Sequence, residues 1–170
     1  MANKTMKLLS LHKYWIYSNK MKISFDEELK RIAKLETPLK EDFETSHQLY
    51  LADYGVFRAY WYSSLYIVIE AWPSLVKNSD HDITNLLNET YINHLRLFRN
   101  STFHFQEEMY PEKASMVDQD DHFVQWIRTI HTKLGEYILK EVANQFPKEI
   151  SDNIFEKVKN NTGTILGNNK

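Results

Sequence analysis

The chain has no cysteine. Disulfides and thiolate zinc sites are therefore excluded. Glycine and proline are scarce, with four of each in 170 residues. An all-β chain with many tight turns draws on both, so long unbroken helices are favoured instead. No apolar run reaches the ~20 residues that cross a bilayer. The longest, residues 60–72, contains Ser63, Ser64 and Glu70. Near the start only the short pair Leu8-Leu9 is apolar, too little for a signal-peptide core. We read the protein as cytoplasmic, with no membrane contact. Nor does one charge sign dominate, since 21 Lys and Arg face 23 Asp and Glu, a net charge of −2. Proteins that coat nucleic acid non-specifically are more basic than this, although a local basic site stays open. No His-Glu-x-x-His, Gly-rich phosphate loop or Gly-x-Ser-x-Gly occurs, and no two histidines stand four apart. Neither a metal nor a cofactor is expected. Asp120-Asp121-His122 reads as a solvated helix start rather than a metal-site fragment.

The hydrophobic share, 42%, and the charged share, 26%, are those of a folded globular protein. The length suits one domain. The expectation is an all-α, single-domain antiparallel helical bundle of five to seven helices over residues 1–160, with a flexible tail at 161–170. Along the chain, residues 4–21 read as a helix. Ser24 and Glu27 fit a capping box, which opens either a second helix or a bent continuation of the first. A helix follows Pro38 up to Gly55. Residues 54–72 are apolar nearly all round and read as a central helix, ending before Pro73 or one turn past it. Asp82 caps a short helix. Residues 88–106 form the next helix, residues 107–117 a loop that could fold over it, and residues 118–145 a long amphipathic helix. Gly135 is an odd choice inside that last helix. Ile150, Ile154 and Val158 suggest one more short helix. Tyr14, Trp15 and Tyr17 are candidates for a subunit interface.

The helix at 88–106 has two characters. Tyr91, Leu95, Phe98, Thr102 and Phe105 recur at core spacing. Arg99, Asn100 and His104 lie off that stripe. Asn100 and His104 share a face at i and i+4. Arg99 and His104 are five apart and diverge by about 140° on a straight helix. A bend, a neighbouring helix or a second copy would have to bring them together. Arg96, one turn before Asn100, reads either as part of a basic cleft or as a salt-bridge partner. Glu70 lies in the apolar run, where an unpaired carboxylate is costly. Either it pairs with Arg99 or Arg96, or it reaches solvent.

Arg99-Asn100-Ser101-Thr102-Phe103-His104, on a helix that follows an apolar helix, resembles the signature of the HEPN family: Arg, often then Asn, four to six residues, then His. The likeness extends over residues 54–72, the motif, and residues 118–145. It implies a metal-independent endoribonuclease of the toxin or defence type. In such enzymes the His assists attack of the ribose 2′-oxygen on the adjacent phosphate, the Arg stabilises phosphate charge, and cyclic-phosphate ends result. The residue chemistry suits this. An imidazole exchanges protons near neutral pH, and a guanidinium offers a fixed fork of donors to phosphate oxygens. Asn100 would orient His104 or bind a phosphate oxygen. The resemblance also implies a homodimer with two motifs facing across a cleft, RNA as substrate, and an antitoxin or nucleotidyltransferase as partner. Two other readings stand beside it. One is a non-catalytic HEPN-like module that binds nucleotides or proteins. The other is a helical interaction protein with a coincidental motif, whose Arg99 and His104 would face no cavity.

Overall fold

The computed structural model describes residues 2–34, 53–76, 82–108, 116–117 and 120–145. The helices expected after Pro38 and around Ile154, the tail, and most of the 107–117 loop lie outside the described residues. All regular structure within them is helical, in five helices, and the all-α bundle expected from the sequence is what forms. They are α1 (Ala2–Ile32), α2 (Asp53–Leu75), α3 (Asp82–Asn85), α4 (Glu89–Phe103) and α5 (Asp121–Gln145).

Helix α1 is one helix, where the sequence left open a second helix after Met21 or a bent continuation of the first. Its inward stripe is Leu8, Leu11, Trp15, Ser18, Lys22 and Phe25, all buried. The spacing of three and four never lapses. Only the polarity changes, at Ser18, Asn19 and Lys22, and that imitates a helix end in sequence. The Ser24 capping box is therefore unused, since Ser24 sits in mid-helix.

Helix α2 is the hub. Trp61, Leu65, Val68, Ile69 and Trp72 are essentially inaccessible. Burying a large apolar side chain stabilises by about 1.5–3 kcal/mol, so this helix carries much of the core. Phe25 of α1 packs on Tyr54 and Trp61, with ring centroids 4.9 and 5.3 Å away, and Ser18 donates to the Trp61 carbonyl. These pairings make α1 and α2 antiparallel. Tyr60 and Tyr62 meet Phe103 and Phe98, so α4 also runs antiparallel to α2. On α5, Tyr62 meets Phe123 and Trp72 meets Tyr137. Pro73 falls in the last turn of α2, where its missing N–H leaves the Ile69 carbonyl without its intrahelical donor, and the helix ends two residues later. Gly55, expected as a boundary, is buried inside the helix.

Asn88 caps α4 by accepting the Tyr91 N–H at 3.1 Å. Asp120 starts α5 by accepting the His122 N–H at 2.8 Å and the Tyr91 hydroxyl. The solvated helix start expected for residues 120–122 fits this arrangement. The Trp126 indole ties α5 to the Leu86 carbonyl at 2.8 Å.

Gly135 has a packing reason. A Cβ there would lie 2.3 Å from Cζ2 and 2.6 Å from Cε2 of Trp15. The Trp15 ring cannot slide away cheaply, because it is buried and its indole N–H donates to the His131 carbonyl at 3.2 Å. Alanine gains about 1 kcal/mol of helix propensity, while overpacking a core costs about 1–3 kcal/mol. With an overlap this deep, Gly135→Ala is expected to destabilise by about 2 kcal/mol net. A urea midpoint that rises instead would contradict this close α1–α5 contact.

Candidate functional site

Arg99 and Asn100 occupy the last turn of α4, half-buried. The Arg99 guanidinium lies 4.9 Å from the centroid of the Tyr66 ring on α2. It donates to Asn100 Oδ1 at 2.9 Å. The Tyr66 hydroxyl in turn donates to Glu70 Oε1 at 3.1 Å. Burial, then the Glu70 carboxylate, pushes the Tyr66 hydroxyl above its ordinary pKa, and Arg99 and Arg96 pull against that. The order is thus Glu70, Tyr66, Arg99, Asn100, with the aromatic ring standing between acid and base.

This corrects one expectation. Glu70 pairs with neither Arg99 nor Arg96 among the described residues. It is exposed and reaches solvent, one turn after the tyrosine whose hydroxyl it accepts. Arg96 has no salt bridge among the described residues either. It bonds back to Asn93 Oδ1 at 2.8 Å on the exposed face of α4.

Helix α4 ends at Phe103, three residues sooner than expected. His104 is its C-cap, with extended backbone (φ −114°, ψ 138°), and its N–H still bonds to the Asn100 carbonyl at 3.0 Å. The shared helical face drawn for Asn100 and His104 therefore breaks at His104. Its imidazole is exposed, and no hydrogen bond or ring contact joins it to Arg99 or Asn100 among the described residues. Phe105 leaves the core stripe for the same reason and is 92% exposed. Tyr60 and Phe103 are also about half exposed and meet edge to face at 5.7 Å. His104 thus stands among open aromatic rings at the end of α4. The interface suggested for Tyr14, Trp15 and Tyr17 loses its central member, because Trp15 is 5% exposed and packs inside the chain.

Two polar features escaped sequence reading. One is a buried network around His131. Trp61 Nε1 donates to His131 Nδ1 at 3.1 Å. An indole N–H can only donate, so the imidazole proton is on Nε2, which donates to Asn19 Oδ1 at 3.1 Å. Ser18 Oγ lies 3.4 Å from Nδ1. Beside it, Asp26 holds Lys22 at 2.6 Å and Arg128 at 2.8 Å. The signal was present in part: His131 follows Ile127 by four, and the polar residues of α1 fall on its core stripe. The other feature is a pocket lined by Arg58 and Arg128, on which none of the five predicted site residues borders.

No family model, curated protein or solved structure matches this chain. No helix among the described residues is long and apolar enough to cross a membrane, and none of their acidic and histidine side chains gather into a group of three or more that could hold a metal.

Proposed function

We propose that this protein is a HEPN-like, metal-independent endoribonuclease that works as a homodimer, with Arg99 and His104 as its reacting pair. One observation carries the reading. Among the described residues Arg99 is held by a ring face and an amide oxygen, not by a carboxylate. Its direction is fixed and no carboxylate among them takes up its positive charge, which is the state a phosphate-binding guanidinium requires. His104 is the complementary half, an exposed imidazole that a second copy could present to the same phosphate. It would take the proton of the 2′-hydroxyl as that oxygen bonds to phosphorus and the 5′-oxygen leaves. Tyr60, Phe103 and Phe105 offer ring faces on which bases can stack, or an apolar patch for the second copy. The setting that suits such an enzyme is cytoplasmic toxin or defence action, with an antitoxin or nucleotidyltransferase beside it.

The intrachain contacts of Arg99 favour instead the helical interaction protein with a coincidental motif. Labelled mixed-sequence RNA in excess EDTA separates cleavage from the two non-cleaving readings. Wild type is expected to cut and leave cyclic-phosphate ends, and His104→Ala and Arg99→Ala each to lose about a hundredfold or more. A folded wild-type protein that leaves the RNA intact would transfer the assignment to the non-cleaving readings. Cutting that survives both substitutions would leave the motif without support.

A further inference from the structure

We propose that the outer face of α1 is a docking surface for the sugar-phosphate backbone of an RNA strand, with Lys13, Tyr17 and Lys20 at its centre and Lys4 and Lys7 at its start. The near-balance of charge over the whole chain hides a steep division along it. Residues 1–25 hold five lysines and no Asp or Glu, whereas residues 26–170 hold the other 16 of the 21 basic side chains and all 23 acidic ones. Such a division steers a polyanion toward one part of a protein and away from the rest. The lysine stretch ends at Asp26, Glu27 and Glu28.

Folding puts these lysines outside. Leu8, Leu11, Trp15, Ser18, Lys22 and Phe25 take the inward stripe of α1. That leaves Lys13, Tyr17 and Lys20, at i, i+4 and i+7, together on the opposite side. Lys4, Lys7, Lys13 and Lys20 are exposed, and none of them joins a salt bridge among the described residues. At a helical rise of ~1.5 Å per residue the four span about 24 Å. Lys22 is the exception, buried and held by Asp26 at 2.6 Å. Tyr17, between Lys13 and Lys20, is 51% exposed. Its ring stands edge to face with Tyr14 at 6.3 Å, and Lys13 lies 4.7 Å from the Tyr14 ring centroid. Cations spread along a face neutralise successive phosphates, and an open ring between them takes a stacked base. A lipid surface fits less well. A helix lying in a bilayer interface buries an apolar face there, and the apolar face of α1 is already packed on α2 and α5. Met6 and Tyr17 are its only exposed large hydrophobics among the described residues. The choice of RNA rests on the ribonuclease reading, but the surface lies on a different helix from Arg99 and His104 and is measured without cleavage.

Binding of a labelled mixed-sequence RNA is read by fluorescence anisotropy in EDTA, with His104→Ala as the parent protein so that no strand is cut. The four exposed lysines are changed together, as Lys4→Gln, Lys7→Gln, Lys13→Gln and Lys20→Gln. Glutamine keeps the helix propensity, and no buried group is touched. The parent is expected to bind at about 50 mM salt and to lose affinity steeply as the salt rises. The quadruple variant is expected to bind about tenfold or more weakly, with a log–log salt slope smaller by about 2 to 3, since each phosphate contact on a single strand adds ~0.7. Tyr17→Ser is expected to weaken binding about fivefold with the slope unchanged, because stacking releases no counterions. Binding of this kind by a protein whose wild type does not cut would sink the ribonuclease reading and leave this surface standing. The proposal is overturned if the quadruple variant keeps the affinity and slope of its parent, if polyglutamate of matched charge displaces the RNA as well as unlabelled RNA does, or if the parent leaves the RNA unbound. Sedimentation with phosphatidylserine vesicles in that last case would assign the face to a membrane instead.

Discussion

His104→Ala and Arg99→Ala proteins, each inactive alone, are expected to recover about a quarter of wild-type RNA cleavage when mixed in equal amounts. The reason is geometric. Arg99 is turned onto Tyr66 within its own chain, while His104 leaves the helix in extended backbone and faces solvent. If the Arg of one copy meets the His of the other, a two-fold dimer has two composite sites. In a mixed dimer one site carries both substitutions and the other carries neither. Random exchange makes about half of the dimers mixed, each with one intact site of two. The measurement is cleavage in EDTA after subunit exchange, with mixed dimers verified by pull-down on differently tagged chains. Recovery near zero despite abundant mixed dimers would mean that Arg99 and His104 act within one chain.

The second large effect is on stability. His131→Ala is expected to cost about 3–5 kcal/mol, from the cavity and from the partners it strands. Trp61 Nε1 would lose its acceptor, and Asn19 Oδ1 the N–H donor it receives from His131. His131→Gln keeps one acceptor and one donor and should lose less. The pH dependence supplies an independent check. Burial, and then the positive charge of Lys22, lowers the His131 pKa to about 3, with Arg128 adding to this and Asp26 opposing. Below the ordinary value of 6.5 the unfolded chain takes up a proton that the folded chain refuses. Stability therefore falls as the pH drops from 6.5 toward 3, by about 1.4 kcal/mol per unit. Asp26 works in the same direction at lower pH. Burial pushes its carboxyl up, but hydrogen bonds from Arg128 and Lys22 outweigh this and hold it below the ordinary value. Its contribution is present above that ordinary value and is lost as the pH falls through the lowered one. Urea denaturation at pH 7.5, 5.5 and 4.5 tests the His131 slope, which lies above the range where Asp26 acts. The slope from His131 should vanish in either variant, and a slope that persists unchanged would assign it to other groups.

The candidate site was legible as residue types at a spacing and illegible as geometry. Arg99 and Asn100 belong to a helix, so periodicity could place them on its last turn. His104 and Phe105 were misplaced by the same periodicity, because nothing in the local pattern announces that α4 stops at Phe103. No Gly or Pro marks the exit. Glu70 was left between two outcomes for a different reason. Its position in an apolar run suggested burial, but α2 has one exposed edge, and Glu70 lies on it next to the tyrosine that separates it from Arg99.

By itself the sequence determined what rests on composition and on repetition along one chain. The lack of breakers and the apolar period specified helices, and the nearly all-round apolar character of residues 54–72 identified α2 as the helix buried on most sides. These depend on the i to i+4 geometry of a helix and need no knowledge of neighbours. Only the tertiary structure decided which polar residues are interior. Ser18 and Asn19 are polar residues that become part of the interior because His131, more than a hundred residues later, supplies their partner, and Lys22 joins them there held by Asp26. Gly135 looked like a weak point in a helix, and is the space into which Trp15 packs. Arg58 and Arg128 had no visible relation, and form one pocket because α1 holds α2 and α5 against the same aromatic wall. The worth of a polar group or a glycine depends on what lies across from it, and contacts between distant segments leave no period in the sequence.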